Sequence, residues 1–157
     1  MKLIDQKLLD RLSEQANTSE RKRQNLNYHF GDADVLQRML NAFEPETYVR
    51  PHKHENPPKR EVFILLRGRL LMLFFDDKGA VVHRQMLDQK AGKFAVEIGP
   101  GEWHMAISLE RGTVVYEVKD GPYNPVSDKQ FAPWSPEEGA PDANAWLEKL
   151  IRENTIG

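Results

Sequence analysis

The chain has 157 residues, a formal net charge of -2 at pH 7 and no cysteine, which indicates one ordinary globular domain and gives no sign of a nucleic-acid partner. Disulfides, thiolate ligands and a cysteine nucleophile are excluded, so any bound metal must use nitrogen and oxygen donors. The charged first residues and the lack of a run of about 20 apolar residues predict a cytoplasmic protein with neither a signal peptide nor a membrane span.

The N-terminal part of the chain shows the period of two amphipathic helices. Apolar residues recur at three- and four-residue spacing between Leu3 and Ala16, and charged residues fill the gaps. A second apolar stripe follows Asp32 and Asp34, either of which can cap a helix. The members of this stripe are Val35, Leu36, Met39, Leu40 and Phe43. Residues 1–45 are therefore predicted to form a helical extension.

Short apolar or alternating runs separated by turn residues begin at Thr47 and predict successive β-strands. The predicted strands are residues 47–50, 61–67, 69–75, 80–87, 94–98, 104–109 and 113–119. So many strands in about seventy residues indicate a barrel or a sandwich, which we assign to residues 46–120. The runs 62–66 and 70–75 are apolar on both faces, so helices or a second subunit must cover them. This need for cover predicts a homodimer.

The last part of the chain, residues 121–157, is predicted to be a loop followed by one helix. Proline and aromatic residues are frequent in the loop. A helix that begins at Asp142 and ends near Asn154 would bury Leu150 and its apolar neighbours. Together with the helical extension and the strands, the chain 1–157 is predicted to be one domain.

Three histidines and one glutamate give the strongest chemical signal in the sequence. His52 and His54 are two residues apart in an extended segment, so their side chains lie on the same face. Glu61 begins the next predicted strand, and His104 follows a tight turn at residues 99–101. Three nitrogens and one oxygen would hold one divalent ion (Fe, Mn, Ni or Zn), and positions left open on a six-coordinate ion imply ligand exchange or chemistry.

The spacing of these residues resembles the two signature motifs of the cupin superfamily. Gly68 lies seven residues after Glu61, and His104 closes a Gly-x-x-His turn that begins at Gly101. The segment between His54 and Glu61 holds six residues and is longer than is usual in cupins. The resemblance implies a mainly β fold, the cupin double-stranded β-helix or jelly-roll barrel, with flanking N-terminal and C-terminal helices.

A closer resemblance covers most of the chain. Its segments are the N-terminal helix, Asn27-x-His29, residues 37–42, Arg50-Pro51-His52-x-His54 with Lys59 and Glu61, residues 74–79, Gly121-Pro122-Tyr123 and residues 131–134. These segments resemble the WbuC family of cupin-fold metalloproteins. Members of that family share the longer segment before the glutamate, so the resemblance implies that Glu61 is the fourth ligand. Glu55 is a poorer candidate, because next to His54 in a regular strand it would face away from the site unless the chain turns there. The family's genes are associated with bacterial surface-polysaccharide clusters, but the resemblance implies a fold and a metal more firmly than a reaction.

A polar pocket beside the ion is predicted from side chains that a solvated loop would not require. Asn25, Asn27 and His29 supply hydrogen-bonding groups, although a capped loop between two helices would also explain them. Arg38, on the second predicted helix, would reach the same pocket or form a surface ion pair. The basic run at residues 21–23 would favour a phosphorylated ligand if it lies at the pocket mouth.

Other candidates for the pocket lie near the second motif. Trp103 is either a packing residue or a platform on which a sugar ring would stack. Glu97 and Glu102 are candidate catalytic residues, because a pocket that raises the pKa of a carboxyl group makes it a general base. His29 is the third catalytic candidate, since an imidazole titrates near neutral pH.

Two classes of function are consistent with this site. The first is a metal-dependent enzyme that acts on a small, oxygen-rich molecule such as a sugar, with isomerisation or epimerisation as the favoured reaction. If the ion is Fe(II), the same ligands suit a dioxygenase. The second class is a non-enzymatic sensor or carbohydrate-binding protein that uses the same pocket. Turnover distinguishes the two, because a binding protein leaves its ligand unchanged.

Overall fold

Ten β-strands and two α-helices make up residues 1–155, the part of the chain that this computed structural model describes. The helices are α1 (Gln6–Thr18) and α2 (Ala143–Thr155). The strands are β1 (Arg23–Asn27), β2 (Leu36–Phe43), β3 (His52–Lys53), β4 (Glu61–Arg67), β5 (Arg69–Phe75), β6 (Val81–Asp88), β7 (Ala95–Ile98), β8 (Trp103–Ser108), β9 (Thr113–Asp120) and β10 (Gln130–Phe131). The antiparallel strands form two sheets, sheet A in the order β1-β2-β9-β4-β7 and sheet B in the order β10-β3-β8-β5-β6.

The two sheets face each other, and one helix covers the outer face of each. Between the sheets, Leu65 of β4 packs in one apolar cluster with Met72 of β5. Outside sheet A, Leu12 of α1 packs against Leu40 of β2. Outside sheet B, Leu147 of α2 packs with the outward-facing residues of β5 and β8. The fold is thus the mainly β barrel with two flanking helices that the sequence predicts.

Helix α1 forms where the sequence predicts it because both its cap and its apolar face are present. The carboxylate of Asp5 accepts a hydrogen bond of 2.9 Å from the backbone N–H of Leu8 and so satisfies one free donor of the first turn. Leu9, Leu12 and Ala16 lie on one face and are buried. The predicted C-terminal helix is confirmed as α2.

The second predicted helix is wrong, because residues 36–43 form strand β2. Leu40 and Ala42 point towards α1 and are fully buried, while Met39 and Phe43 point to the interior between the sheets. A strand that is apolar on both faces has no clear period of two, so its pattern also fits a helix. The segment forms a strand because it pairs with β1 on one side and with β9 on the other.

The six predicted strands from residue 61 onward are confirmed within about two residues at each end. The first predicted strand, residues 47–50, is wrong, since regular pairing begins only at His52. The polar residues 23–27, which carry no clear pattern, form β1 at the edge of sheet A. The N-terminal region therefore contributes two strands to the barrel in addition to its helix.

Gly68 forms the turn that carries the chain from β4 in sheet A to β5 in sheet B. Its φ of +85° lies in the left-handed region, which residues with a Cβ rarely adopt. A Cβ at this position would also lie 2.7 Å from the Cα of Thr113. A residue with a Cβ at this position would therefore clash with the first residue of β9.

The outer apolar face of β5 is covered within the chain. Leu71, Leu73 and Phe75 are buried in the cluster that contains Leu147 and Leu150 of α2. The C-terminal helix therefore supplies one of the two kinds of cover that the apolar strands were predicted to need. The other, a second subunit in a homodimer, stays a prediction. Neither of the two helices in the described part of the chain is long and apolar enough to cross a bilayer.

Candidate metal site and cavity

Four side chains converge at one end of the space between the sheets, and we call this group the ion site. His52 lies on β3 and pairs in register with His104 of β8, so both imidazoles project from the inner face of sheet B. His54 follows β3, and Glu61 projects from the start of β4 in sheet A. One donor atom from each residue lies within 4.8 Å of the others, and all four residues are buried.

The imidazoles of the ion site are held by the backbone so that one nitrogen of each is fixed. The Nδ1 of His52 lies 2.9 Å from the carbonyl oxygen of Arg50, and the Nδ1 of His104 lies 2.9 Å from that of Glu102. The Nδ1 of His54 faces the carbonyl oxygen of Asp128. Each Nδ1 therefore carries the proton, and Nε2 keeps a lone pair that can bind a metal. Metal-ligating histidines are ordinarily oriented in this way.

Several donor atoms of the ion site have no protein partner. Nε2 of His54, Nε2 of His104 and Oε2 of Glu61 are buried and make no hydrogen bond with any residue in the range 1–155. Glu61 Oε2 lies 3.0 Å from Nε2 of His104 and 3.6 Å from Nε2 of His54. Buried polar atoms without partners are costly, and a cation shared by these atoms would satisfy them. The four residues could thus hold a metal ion.

The protonation states at the ion site suit ligation. Burial, and after it the nearby ammonium group of Lys129, lowers the pKa of His52 well below its usual value. Burial opposes ionisation of Glu61, but the adjacent imidazoles of His104 and His54 outweigh burial and hold the pKa of Glu61 well below its usual value. A neutral imidazole and an ionised carboxylate are the forms that bind a metal.

A buried cluster of Lys59, Lys119 and Asp128 lies behind His54, and we call it the lysine–aspartate cluster. Asp128 Oδ1 lies 2.6 Å from the Nζ of Lys59, and Asp128 Oδ2 lies 2.7 Å from the Nζ of Lys119. Burial alone would raise the pKa of Asp128, but Lys119 and Lys59 hold it below its usual value. The backbone carbonyl of Asp128 also faces His54. The cluster therefore helps to fix the position of His54, one of the predicted metal-binding residues.

Glu117 is a second carboxylate beside the ion site. It lies on β9, opposite Phe63 of β4, and it is buried. Its Oε2 accepts a hydrogen bond of 2.5 Å from the Nδ2 of Asn41. Burial, and then the nearby Glu61 carboxylate, raises the pKa of Glu117 to about 8. A buried carboxyl group of this kind is typical of binding and catalytic sites.

The ion site opens into a cavity of about 750 Å³ between the sheets and the loop after β9. Its wall combines apolar side chains with many hydrogen-bonding groups, and His52, Glu61 and His104 lie on it. The other polar and charged lining residues are Ser19, Glu20, Arg21, Arg23, Gln24, Asn25, Asn27, His29, Asp32, Gln37, Asn41, Glu117, Lys119, Tyr123, Lys129 and Glu138. A volume of this size accommodates a ligand as large as a drug-sized molecule.

Three of the predicted ligand-binding residues line the cavity. Asn25 and Asn27 project from β1, where the Nδ2 of Asn25 donates to the Oδ1 of Asn27 over 2.8 Å. His29 also lies on the wall, and its Nδ1 is 3.0 Å from the carbonyl oxygen of Arg38. The wall is thus formed by a strand and the residues after it, and not by the loop between two helices that the sequence suggested as an alternative.

The other predicted site residues lie outside the cavity lining. The guanidinium of Arg38 lies 3.9 Å from Asp34, and the indole of Trp103 packs in the cluster under α2 and donates to Asp77. Glu97 is exposed on β7, and Glu102 accepts a hydrogen bond from the backbone of Gly99. Because side chains alternate along a strand, Trp103 and His104 necessarily face opposite sides of sheet B.

The sequence reasoning missed Glu117, Lys119, Asp128 and Lys129. Glu117 and Lys119 alternate with apolar residues along β9, which usually marks a solvent-facing side of a strand. Here α1 packs near the apolar side, so the charged side faces inward. The sequence did contain a signal for this charged wall, because Glu117 and Lys119 are two residues apart and so lie on the same face of a predicted barrel strand.

Solved structures with the same fold include the capsular polysaccharide assembling protein CapF from Staphylococcus aureus, with a TM-score of 0.59 and 19% identity over 73% of this chain. The match covers 30% of the CapF chain, so the present chain spans about a third of that protein. A conserved protein with a double-stranded β-helix domain from Klebsiella pneumoniae has a TM-score of 0.57 and 14% identity over 84% of this chain and 97% of its own. A cupin superfamily protein from Desulfitobacterium hafniense has a TM-score of 0.50 and 13% identity over 69% of this chain and 86% of its own.

These likenesses show that the chain has the cupin, or double-stranded β-helix, fold. A search of curated proteins gives no match. The sequence of residues 4–87, more than half of the 157 residues, matches the family described as DUF6016, a domain of unknown function. The chain therefore belongs to the DUF6016 family.

Proposed function

We propose that the protein is a metal-dependent cupin that binds a small, oxygen-rich molecule in the cavity, next to one divalent ion held by His52, His54, Glu61 and His104. The observation that carries this proposal is the convergence of buried donor atoms without partners at the end of a polar cavity. A structural ion would be enclosed by its ligands, whereas this group adjoins a cavity that can admit a ligand.

The residues around the ion site have separable roles in this proposal. The backbone carbonyls behind His52, His54 and His104 fix the tautomers, and Glu61 supplies a negative charge. A divalent ion held there would supply a Lewis acid that polarises a carbonyl or orients a hydroxyl group of the ligand. Glu117, hydrogen-bonded to Asn41, lines the cavity and offers a carboxyl group to a ligand hydroxyl.

We further propose that the ligand is sugar-like and that the protein works in bacterial surface-polysaccharide metabolism as an isomerase or epimerase. The resemblance to the WbuC family supports this assignment, and so does the similarity in fold to CapF, which is described as a capsular polysaccharide assembling protein. The hydrogen-bonding side chains on β1, above all Asn25 and Asn27, suit a polyhydroxylated ligand. The same fold serves many reactions, so the reaction follows from the ligand and not from the barrel.

Two alternatives use the same site. A dioxygenase is favoured if the resident ion is Fe(II), because three histidines and one carboxylate leave open positions on that metal. A non-enzymatic carbohydrate-binding protein is favoured if a bound sugar is recovered unchanged. The ion itself, among Fe, Mn, Ni and Zn, follows from elemental analysis of the protein as purified. A cytoplasmic location and a homodimer remain part of the proposal.

A thermal-shift screen of metal-loaded protein tests the proposed ligand class. Free sugars, nucleotide sugars and hydroxy acids should raise the melting temperature of the wild type, because a ligand that binds only the folded state stabilises it. The His104→Ala variant should lose this response, whereas His83→Ala, at an exposed position on β6, should keep it. Stabilisation by apolar aromatic compounds alone would overturn the sugar proposal and favour the dioxygenase.

The second part of the test is turnover. Each sugar that stabilises the protein is incubated with it and the products are separated by chromatography or followed by proton NMR. A change at one stereocentre or a shift of the carbonyl position would support the isomerase or epimerase. Complete recovery of the starting sugar after many hours would instead identify a binding protein.

A further inference from the structure

Lys129 differs from the other positively charged residues that line the cavity. Arg21 and Arg23 both form ion pairs with Glu138, at 2.9 and 2.7 Å. Lys119 is paired with Asp128. Lys129 is half-buried on the cavity wall, and within residues 1–155 its ammonium group has neither a carboxylate within 4.0 Å nor a hydrogen bond. It is therefore a cation with no counterion that faces the space where a ligand would lie.

The position of Lys129 is set by its neighbours in the chain. Asp128 is held by the lysine–aspartate cluster, and Phe131 pairs with His52 in the short β10–β3 ladder. Lys129 lies between these two fixed points, on the same cavity wall as His52, Glu61 and His104. The backbone of Lys129 is thus held in place, and among residues 1–155 its ammonium group has no protein partner that would compete with a ligand.

The charges around the ion site leave an excess that a ligand must neutralise. Glu61, Glu117 and Asp128 supply three carboxylates, and Lys59, Lys119 and Lys129 supply three ammonium groups. With all six ionised, these groups balance. The other charged residues of the cavity wall, Glu20, Asp32 and Glu138 against Arg21 and Arg23, add one net negative charge, so a divalent ion leaves one net positive charge. A buried excess of charge is expensive unless it is paired.

We propose that the ligand is an anion and that Lys129 is the residue that binds its acid group, while the neighbouring hydroxyl oxygens face the ion site. This inference rests on the proposed function and narrows it from oxygen-rich molecules to acidic ones. A carboxylate and a phosphate share the required chemistry, since either is a negatively charged oxygen group that accepts a charge-assisted hydrogen bond from an ammonium group.

Isothermal titration calorimetry with Co(II)-loaded protein tests the inference with matched probes. Glycolate is compared with ethylene glycol, its neutral counterpart, and glucuronate and glucose 6-phosphate are compared with glucose. The two acidic sugars distinguish a carboxylate ligand from a phosphate ligand. The visible absorption spectrum of Co(II) reports separately whether each probe reaches the ion.

The wild type should bind the acidic probes more tightly than the neutral ones. Lys129→Met should weaken the acidic probes by about tenfold or more, because a hydrogen bond to a charged group is lost. The affinity for neutral probes should change by less than about twofold. Lys129→Arg should restore most of the preference, and Lys93→Met, which removes an exposed charge from the loop before β7, should behave as the wild type.

The outcomes separate this inference from the proposed function. If sugars bind with no preference for acidic ones, or Lys129→Met weakens acidic and neutral probes equally, the inference is overturned and the proposed function stands. If glycolate binds with Lys129 dependence while no sugar binds, the inference stands and the sugar assignment fails. If no probe binds the metal-loaded protein, both are overturned. Unaltered melting temperatures of the variants establish that each is folded.

Discussion

The two ends of the space between the sheets differ in composition although the same strands build both. At one end, Leu65 of β4 packs with Met72 of β5 in an apolar cluster. At the other end, β4 contributes Glu61, and β9 contributes Glu117 and Lys119 to a charged interior. A single strand therefore passes within four residues from a hydrophobic core into a charged site.

This difference separates what folds the barrel from what the barrel does. Burial of apolar surface at about 25 cal/mol per Å² supplies most of the favourable free energy. Buried ionised groups at the other end cost desolvation free energy and return it only when they are paired. The apolar end therefore offsets the cost of burying charges at the other end. Substitutions at the two ends should differ in their effects on the free energy of unfolding and on metal content.

The largest effect is expected from removing the central charge of the lysine–aspartate cluster. Asp128→Asn removes the carboxylate that contacts both buried ammonium groups, those of Lys59 and Lys119, which should lower the free energy of unfolding by about 3–5 kcal/mol. Chemical denaturation at pH 7 measures this loss. The matched control is Asp120→Asn, whose partner Arg60 is exposed, and it should cost less than about 1 kcal/mol. Equal losses in the two variants would contradict the distinction between buried and exposed pairs.

A cavity at the apolar end should have the next largest effect. Leu65 is 1% exposed, so Leu65→Ala should lower the free energy of unfolding by about 2–5 kcal/mol through lost burial and an unfilled cavity. Metal content should remain unchanged, because Glu61 on the same strand is untouched. Ile64→Ala, at the neighbouring and 37% exposed position, should cost clearly less. A loss of metal in Leu65→Ala would show that the two ends are not separable.

Removal of the ion should destabilise the wild type by an intermediate amount. Ligands from both sheets meet at the ion site, so an ion bound there stabilises only the folded state. At free metal about 100-fold above its dissociation constant, this stabilisation is about 2.7 kcal/mol. Addition of a chelator should lower the melting temperature of the wild type but not that of His104→Ala. An equal decrease in both proteins would place the stabilising ion elsewhere.

The smallest effect concerns the apolar layer outside sheet B, and it should decrease at alkaline pH. Burial raises the pKa of Tyr48 to about 12, and its hydroxyl donates to the carbonyl of Pro136 over 2.8 Å. The folded state thus retains the proton more strongly than the unfolded state. The stability from this group is fully present below about pH 10, the unfolded pKa, and is lost as the pH rises through about 12.

Urea denaturation of the wild type and of Tyr48→Phe between pH 7 and pH 11 measures this contribution. At pH 7 the variant should be about 1 kcal/mol less stable, because one hydrogen bond is lost. The difference in stability should shrink as the pH rises above 10. Only the wild type has a phenol that ionises in the unfolded chain but stays protonated in the folded state, and this ionisation stabilises the unfolded state. A constant difference across the series would mean that the phenol titrates alike in both states.

The sequence predicted the barrel strands well where local pattern and turn residues agree. The runs that became β4 and β5 are bounded by Gly68, and the turn before His104 contains Gly99 and Gly101. The convergence of His52 with His54 follows from the alternation of side chains along an extended segment. These features depend on neighbours in the sequence, so they can be read without knowledge of the pairing.

The features that were missed depend on long-range pairing. Residues 36–43 fit a helical period, and only their pairing with β9 makes them a strand. Lys119 faces the interior because it pairs with Glu61, and Asp128 lies behind His54 because a loop returns across the barrel. No local pattern specifies these contacts, so the charged wall of the cavity could not be predicted from periodicity.

Metal content tests the central claim, that the ion site holds one divalent ion. Protein purified without chelators is analysed by inductively coupled plasma mass spectrometry, alongside the double variant His52→Ala with His54→Ala and the control His83→Ala. We expect about one equivalent of metal in the wild type and in the control, and none in a folded double variant. A double variant that retains a full equivalent of metal would contradict this claim.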